Sequence, residues 1–481
     1  MRADLTIVGA GPAGMAAAVA AADAGLDVLV VDEQAQAGGQ IFRRPPKGWP
    51  GRKSYAPYPW AAELIERFEG HEHIRCSFRS TAYGVLRDRT PDEDAPGGER
   101  VDLRLAVSAP EGGALVRTER LLIATGAYDM PVAFPGWTKP GVMTVGAVQS
   151  LLKSQKVLAG RRVVLAGSHP LLLIAAEQLL DAGAEIAEIA FARGLPSIAE
   201  MSRAVPAAPG HLGVFAEAGR SLAKIVARGV RVSTRTIVSE AVGGGAVTGA
   251  LLRRVDAHWH PAGEPRRLEA DLLVLGYGFS PSTELARQAG CEMRWDSRLG
   301  GWVVAHDERF ATSAEGVYIA GEPTGIAGAE SSRSQGRIAG LRIAESLGAA
   351  PPQRDFAEAR AELRRADRFS RVVQRMFEPR RQALADLSRP EGTVVCRCEL
   401  VSTERIEGVL EQNPFISSAN AVKLECRSGM GPCQGRYCEP TVAARVAAAR
   451  DIPLEEAGCF TAHLPVKPVP VESYRSLAER R

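Results

Sequence analysis

Four cysteines near the end of the chain stand at spacings suited to a metal ion or a cluster. Cys396 and Cys398 form a C-x-C pair, and Cys433 and Cys438 form a C-x4-C pair after 34 intervening residues. Thiolates this close in sequence converge on one centre when an iron–sulfur cluster or zinc holds them. Structural zinc sites usually show C-x2-C to C-x4-C pairs, so the C-x-C opening favours [2Fe–2S] over zinc. Cys426 lies between the pairs and could replace one of the four ligands, which leaves its role open.

A glycine-rich loop near the start of the chain has the spacing of a dinucleotide site. Residues 5–8 have the pattern of a strand and residues 15–24 that of a helix, with G-x-G-x-x-G between them. Gly9 permits the tight turn, Gly11 lets backbone approach a pyrophosphate, and Gly14 lets the helix pack on the strand. The helix N-terminus adds the positive end of its dipole. The residues that we assign to the dinucleotide here are Gly9, Gly11, Pro12, Ala13 and Gly14.

The next predicted strand, residues 27–31, ends at two acids that compete for one role. In such sites an acid about 20 residues beyond the glycines binds a ribose hydroxyl. Asp32 follows the strand directly and is preferred, and Glu33 is the alternative.

Three further segments favour FAD over NAD in this loop. Gly39-Gln40 lies where flavoproteins with two dinucleotide domains bring backbone against the flavin. Ala124-Thr125-Gly126 resembles the ATG motif at a strand end in those proteins. Gly321-Glu322 resembles the late strand whose terminal acid binds the ribityl and pyrophosphate part of FAD, with Glu in place of the usual Asp. Their order along the chain predicts a flavin domain.

Residues 138–275 have the pattern of a second α/β unit inserted into the first. Gly167 opens its glycine turn, but His169 and Leu172 stand where a working NAD loop has its second and third glycines. A side chain at 169 obstructs a pyrophosphate, and Leu172 pushes the helix away from the strand. We therefore expect a nicotinamide-type domain without a nucleotide. His169 could serve as a catalytic base, but a histidine at a helix start is the preferred interpretation.

Other histidines and cysteines are assigned no chemistry. His258 and His260 flank Trp259 in a segment with a β pattern, where alternation places both on one face, as a metal pair requires. No third ligand is near in sequence, so we expect surface histidines on an edge strand. Cys76 and Cys291 are isolated and are expected to be buried. The inserted domain has no C-x-x-C pair, which argues against thiol–disulfide chemistry.

The totals for the chain limit its partners. Among 481 residues, 59 basic and 56 acidic side chains give a net charge of +3, which gives no reason to expect nucleic acid or an acidic membrane. No secretory signal and no run of about 18 apolar residues is seen. Eight cysteines are too few for a disulfide scaffold. The sequence predicts a cytoplasmic protein, and because no general-base constellation stands out, we assign no catalytic residue.

The predicted fold is α/β. A Rossmann-like FAD domain is interrupted by an NAD-type domain and followed by a small helical [2Fe–2S] domain. The predicted segments are 1–137 and 276–350 for the FAD domain, 138–275 for the inserted domain, 351–390 for a basic helical linker and 391–481 for the cysteine domain.

Along nearly all its length the chain resembles the α (A) subunit of bacterial hetero-oligomeric FAD-dependent dehydrogenases of amino acids and secondary amines. These include opine oxidases, proline and D-hydroxyproline dehydrogenases and the hydrogen cyanide synthase type. The segments that carry the resemblance are 8–14, 38–41, 134–143, 166–168, 170–173, 396–399, 429–436 and 465–470. The cysteine module is similar to bacterioferritin-associated ferredoxin, although the second pair there is usually C-x2-C.

The resemblance implies an electron-transfer subunit that holds FAD and a [2Fe–2S] cluster, often with FMN between subunits. Some relatives carry an adenine nucleotide such as ATP in place of FAD. The substrate is oxidised in a separate flavin β subunit, and further expected partners are an external electron acceptor and a small γ subunit. Two alternatives stay open: a free-standing NAD(P)H-dependent reductase of an external carrier, and a scaffold with structural zinc.

Overall fold

A computed structural model describes residues 2–46, 49, 58–91, 99–204 and 211–478 of the chain. The strands, in chain order, are β1 (Arg2–Val8), β2 (Val28–Asp32), β3 (Ile74–Phe78), β4 (Thr81–Pro91), β5 (Glu99–Ala109), β6 (Gly112–Ile123), β7 (Ala127–Asp129), β8 (Val142–Thr144), β9 (Arg162–Gly167), β10 (Glu185–Phe191), β11 (Arg231–Thr234), β12 (Thr236–Val242), β13 (Gly249–Val255), β14 (Pro261–Glu269), β15 (Leu272–Gly276), β16 (Phe279–Pro281), β17 (Met293–Asp296), β18 (Gly301–Val304), β19 (Val317–Ile319), β20 (Val394–Cys396) and β21 (Val401–Ser402). The α-helices are α1 (Pro12–Asp23), α2 (Ala61–Gly70), α3 (Val145–Ser150), α4 (Leu171–Asp181), α5 (Ile198–Ala204), α6 (Leu212–Ala227), α7 (Glu284–Gln288), α8 (Ala329–Ser346), α9 (Gln353–Met376), α10 (Arg381–Asp386), α11 (Thr403–Gln412), α12 (Ala419–Cys426), α13 (Glu439–Arg450) and α14 (Val471–Ala478).

The first domain is built on a seven-stranded sheet in the order β3-β2-β1-β6-β5-β4, with β19 beside β6. Strands β1, β2, β3, β6 and β19 run parallel, whereas β4, β5 and β6 form an antiparallel meander. β1 and β2 are mostly buried apolar strands, as expected where helices cover both faces of a parallel sheet. This is the predicted Rossmann-like domain, with β19 returning to it after the insertion.

Helices α1 and α8 pack in close contact in this domain because glycines of α8 face the backbone of α1. A Cβ atom added at Gly336 would lie 2.0 Å from the carbonyl oxygen of Ala13. A Cβ atom at Gly340 would lie 2.4 Å from the carbonyl oxygen of Ala17. Larger side chains at these positions would separate the helices, so the two glycines set the position of α8.

The inserted domain contains the second predicted α/β unit. Its five-stranded parallel sheet has the order β11-β10-β9-β15-β8, and α4 and α6 pack on each other. A three-stranded antiparallel sheet, β12-β13-β14, completes it. The two-stranded ribbon of β7 and β16 pairs the segments that enter and leave this domain.

The segment around Trp259 is a turn between β13 and β14, and the expected edge strand there is wrong. Trp259 has a φ of +71°, which a strand does not allow. The backbone N–H groups of His258 and His260 donate to Oδ1 of Asp256 at 2.8 and 2.9 Å. A carboxylate that accepts nearby backbone N–H groups favours a turn over a strand. Both histidines are exposed, as expected.

The basic region after α8 forms α9 and α10. Phe356 and Ala359 bury one face of α9, and α9 packs on α8. Arg333 of α8 donates to Glu362 of α9 at 2.9 Å. The charged run is therefore a helix with one face against the first domain and with ion pairs at its edge.

The cysteine region has a core of its own, formed by residues of β20, α11, α12 and α13 together with Phe460. The chain then returns to the first domain. The N–H group of Val466 donates to the carbonyl oxygen of Tyr83 at 2.9 Å, and α14 packs on β6. The tail therefore ties the cysteine region to the first sheet.

All eight cysteines are free of disulfide bonds. Cys291 is buried as expected, but Cys76 is exposed on the edge strand β3, so its predicted burial is wrong. Within the described ranges, no helix is long and apolar enough to cross a membrane.

Candidate functional site

A cleft of about 1640 Å³ opens at the carboxyl ends of β1, β2 and β6. In α/β sheets this is the edge at which ligands bind. The predicted dinucleotide residues that line it are Gly9, Gly11, Pro12, Ala13, Asp32, Glu33, Gly39, Gln40, Ala124, Thr125, Gly126, Gly321 and Glu322. Gly14 does not line the cleft and lies beneath it, where α1 meets β1. The fold thus brings together segments that are far apart in sequence.

Close backbone approaches explain the glycines of the loop. Gly9 has a φ of +108°, and a Cβ atom there would lie 2.3 Å from the carbonyl oxygen of Ala124. A Cβ atom at Gly14 would lie 1.8 Å from the carbonyl oxygen of Gly9. A Cβ atom at Gly39 would lie 2.8 Å from Cα of Gly11. The loop therefore presents bare backbone to the cleft, as a pyrophosphate site requires.

Two helix N-termini reach this cleft. α1 begins after Gly11 and α8 after Gly328, and neither N-terminus is capped by a side chain. Both glycines line the cleft. The first backbone N–H groups of a helix lack intrahelical partners and attract anions. The glycine cradle and the two N-termini fit the pyrophosphate of a dinucleotide.

Asp32 and Glu33 have different surroundings. Oδ2 of Asp32 accepts the N–H of Ala10 and Oδ1 accepts the N–H of Gln34, both at 2.6 Å. Burial raises the pKa of Asp32 despite these bonds. Glu33 forms an ion pair with Lys467 of the tail at 2.5 Å. Asp32 thus holds the shape of the loop, while Glu33 connects its rim to the chain end.

Glu322 lies in a 3-10 turn after β19 and bonds back to its own loop. Its carboxylate accepts the N–H groups of Ala327 and Gly328 at 3.2 and 2.8 Å. Burial raises its pKa to about 7. Gln335 of α8, which the sequence did not single out, accepts the N–H of Gly321 at 2.8 Å. Both side chains fix the loop that leads into α8.

His169 of the inserted domain lies two residues before α4, near the helix start expected from the sequence. Its Nδ1 accepts the N–H of Leu171 at 3.2 Å, and its ring packs edge-on against Phe279 at 5.0 Å. Burial lowers the pKa of His169 to about 4, so the ring is neutral at pH 7. Leu172 is fully buried. These two side chains occupy the positions that a nucleotide loop would leave to glycine.

The four predicted cluster ligands lie together in two thiol pairs. A hydrogen bond from the Cys438 thiol is the largest cause that lowers the pKa of Cys396 to about 6, and Gly429 N–H also donates to Sγ of Cys396 at 3.4 Å. Cys398 hydrogen-bonds Cys433, and burial is the largest cause of its raised pKa. The described residues hold no group of three or more His, Cys, Asp or Glu arranged to bind a metal ion. Thiols are the ligands of [2Fe–2S] clusters and of structural zinc, so each of the two pairs has the chemistry of such a site, although the pairs are not gathered into one ligand set.

Cys426 has hydrogen-bond partners outside this set. Its thiol donates to the carbonyl oxygen of Val422 at 3.1 Å, within its own helix, and its Sγ lies 3.4 Å from Oγ of Ser428, at hydrogen-bond distance. A Cβ atom at Gly431 would lie 2.3 Å from Cβ of Cys398, so glycine is needed for the two cysteine loops to meet.

Arg436 connects the cysteine loop to the cleft, and sequence reasoning did not assign it this role. Its Nη1 donates to the carbonyl oxygen of Cys433 at 2.9 Å and its Nε donates to the Tyr128 hydroxyl at 2.8 Å. Nε also lies 3.1 Å from Oε1 of Glu284. Arg436 and Tyr128 both line the cleft. The second cysteine loop is therefore in contact with the wall of the candidate dinucleotide site.

Comparisons with known proteins point to one family. The pattern described as pyridine nucleotide-disulphide oxidoreductase matches residues 3–339. The A subunit of the opine oxidase from Rhizobium meliloti is 34% identical over 97% of this chain and 86% of its own length. Hydrogen cyanide synthase subunit HcnB of Pseudomonas aeruginosa is 31% identical over 98% of both chains.

A solved structure shares the fold over nearly the whole chain. The crystal structure of L-proline dehydrogenase from P. horikoshii matches with a TM-score of 0.67 over 98% of this chain and 78% of that chain. The sequences are only 19% identical, so this comparison shows a shared fold.

Proposed function

The chain belongs to the pyridine nucleotide-disulphide oxidoreductase family, and we propose that it is the electron-transfer α subunit of a hetero-oligomeric dehydrogenase. The proposed substrate is a secondary amine or amino acid of the opine, proline or hydroxyproline type. A flavin β subunit oxidises the substrate, and this chain passes the electrons on to an external acceptor. Two relatives that match nearly the whole chain support this proposal, because both are named as subunits and one as part of an opine oxidase.

The contact of the cysteine loop with the cleft is the observation that carries the proposal. Arg436 binds the backbone of Cys433 and the side chain of Tyr128, and Tyr128 lines the cleft. A cluster held by Cys396, Cys398, Cys433 and Cys438 would therefore lie next to a flavin bound in the cleft. When bound, a flavin exchanges electrons in pairs or singly and a [2Fe–2S] cluster carries one electron at a time.

The residues of the chain have binding and shielding roles in this proposal. The glycine loop and the N-termini of α1 and α8 would hold the pyrophosphate of FAD. Asp32 holds the turn of that loop and Glu322 holds the loop before α8. An adenine nucleotide such as ATP could bind to the same glycine loop. FMN at a subunit interface would be a further electron carrier. A small γ subunit is a further proposed partner.

The inserted domain supports a subunit that receives electrons from a partner. His169 and Leu172 fill the turn that a nicotinamide coenzyme would approach. Cys76 on β3 and Cys291 before β17 are 215 positions apart in sequence and are not paired with each other, so neither forms the neighbouring pair that thiol–disulfide exchange uses. NAD(P)H and a disulfide are therefore both poor candidates for the electron source.

Purification of the chain alone and together with the flavoproteins encoded beside it tests the proposal. Proline, hydroxyproline and opines would be assayed with an artificial electron acceptor. We expect dehydrogenase activity only in the complex. We expect the isolated chain to contain flavin, and NADH and NADPH to reduce this flavin only slowly. Rapid reduction of that flavin by NADH or NADPH in the isolated chain would instead identify a free-standing reductase.

A further inference from the structure

Arg381, the first residue of α10, carries a buried guanidinium without an anionic partner. Its Nη1 donates to Sδ of Met130 at 3.5 Å, which is a weak bond. Its Nε and Nη2 atoms are buried and have no hydrogen-bond partner. Burial lowers the pKa of Arg381 to about 10, so it stays charged at neutral pH. No carboxylate of the described residues lies within ion-pair distance of it.

Two other arginines near Arg381 have the carboxylate partner that a buried guanidinium normally has. Arg287 lies 3.1 Å from Glu439, and Arg436 lies 3.1 Å from Glu284. Buried charges are normally paired, because an unpaired charge inside a protein is costly. Arg381 has no such carboxylate among the described residues, and its Cζ lies instead 5.8 Å from the centre of the Trp295 ring.

The nearest acid in sequence does not provide the missing partner. Glu378 accepts a hydrogen bond from the Ser297 hydroxyl at 2.5 Å and pairs with Arg298 at 3.5 Å. Its carboxylate is therefore directed to the β17–β18 hairpin, and the edge of Arg381 formed by Nε and Nη2 is left without a partner.

A cavity of about 80 Å³ adjoins this guanidinium. The charged residues that line it are Arg287, Arg381, Arg436, Glu284 and Glu439. Three arginines and two glutamates leave one positive charge, and the ion pairs assign that charge to Arg381. Ser280 also lines the cavity, and its Oγ atom is buried without a partner. Two separate side chains thus present free polar groups to the same cavity.

We propose that this cavity binds a small monocarboxylate, with its two oxygens on Nε and Nη2 of Arg381. These atoms form the edge of a guanidinium that offers two parallel N–H groups, and this edge matches the two oxygens of a carboxylate. Ser280 is placed to donate a further hydrogen bond. Met130, Trp295 and Leu384 also line the cavity and suit a short apolar tail better than an inorganic oxyanion. The proposal is independent of the proposed electron transfer.

The site lies between the cleft and the cysteine region. Its lining includes residues of the β7–β16 ribbon, the β17–β18 hairpin, α10 and α13. Tyr128, Gly300 and Arg381 line both this cavity and the large cleft. A small ligand can therefore arrive through the cleft, and once bound it would contact elements of both regions.

Acetate is a suitable probe of this site in the purified protein with its cofactors bound. Thermal midpoints would be measured while sodium acetate replaces sodium chloride at constant ionic strength. We expect a saturable rise of the midpoint in the wild-type protein. Arg381→Met should abolish the rise and keep the midpoint in chloride at or above that of the wild type, since it removes an unpaired buried charge.

Two further variants make the test specific. Ser280→Ala keeps the guanidinium and should weaken acetate binding by roughly threefold to tenfold, as loss of one hydrogen bond predicts. Arg294→Gln, on the same hairpin as Trp295 but exposed, should leave the response unchanged. A wild-type thermal midpoint that does not change when acetate replaces chloride would overturn the proposal. An undiminished response in Arg381→Met would overturn it as well.

Discussion

The Nε atom of Arg436 donates a hydrogen bond of 2.8 Å to the hydroxyl of Tyr128, and this bond joins the cysteine region to the wall of the cleft. The two residues are 308 positions apart in sequence. Arg436 also pairs with Glu284, and both of these side chains are about nine-tenths buried. Arg436 is thus one of the contacts that fix the cysteine loop against the cleft, together with the Arg287–Glu439 ion pair.

Replacing Arg436 by glutamine should destabilise the protein strongly. The change leaves the carboxylate of Glu284 buried and unpaired, which costs about 3–5 kcal/mol. Urea unfolding would measure the loss. Arg67→Gln is the matched control, because Arg67 pairs with Asp23 at the surface, and it should cost less than about 1 kcal/mol. Equal effects of the two variants would show that the Arg436 network does not hold the regions together.

Replacing Gly340 by alanine should destabilise the first domain. The added Cβ would lie 2.4 Å from the backbone oxygen of Ala17 and push α8 away from α1, at a cost of about 1–3 kcal/mol. A Cβ atom added at Gly219 in α6 would meet no atom within 4 Å, so Gly219→Ala should stabilise by about 0.5–1 kcal/mol. Opposite signs are expected in urea unfolding, and a stabilising Gly340→Ala would contradict the close helix contact.

His169 should make stability depend on pH. Its folded pKa of about 4 lies below the ordinary value of 6.5, so the neutral ring stabilises the fold fully above pH 6.5. This contribution is lost as the pH falls toward 4 and amounts to at most ~3 kcal/mol. His169→Gln does not titrate and can still accept the N–H of Leu171. The unfolding free energy of the wild type should therefore fall relative to the variant between pH 6.5 and 4, and a constant difference would refute the lowered pKa of this half-buried ring.

The roles of Asp32 and Glu33 can be distinguished by the effect of replacing each residue on FAD affinity. Asp32→Asn should weaken FAD binding by about tenfold or more, since asparagine can replace only one of the two carboxylate acceptors. Glu33→Gln should change the affinity less than about threefold, because it loses only a partly exposed ion pair with Lys467. Fluorescence titration of the cofactor-free protein with FAD measures both. A larger effect of Glu33→Gln would assign the main role to Glu33.

The spacing of residues within short segments was enough to predict most of the fold and much of the candidate site. The glycines at 9, 11 and 14 predicted a strand, a tight turn and a helix because each spacing reflects a contact within a few residues, and the structure has all three. The turn at Trp259 was missed because Asp256 binds two backbone N–H groups there, and this side-chain capping overrides a β pattern.

Long-range partners could not be predicted. Arg436 belongs to a recognisable motif, but its role depends on Tyr128 and Glu284, which only the folded chain brings near. Glu322 was matched to a motif, yet its bonds to the loop before α8 follow from the turn that it occupies. Arg381 lay in the predicted basic helical linker, and only the packing of α10 shows its guanidinium to be buried.

Electron paramagnetic resonance of the dithionite-reduced protein, combined with iron and sulfide analysis, tests the central claim that four cysteines hold a [2Fe–2S] cluster beside the cleft. We expect about two irons and two labile sulfides per chain and a signal from a reduced [2Fe–2S] centre. Cys433→Ser should lose this signal, whereas Cys426→Ser should retain it, because the Cys426 thiol bonds to Val422. Stoichiometric zinc, or a chain without iron whose flavin is still reduced by the partner subunit, would contradict the account.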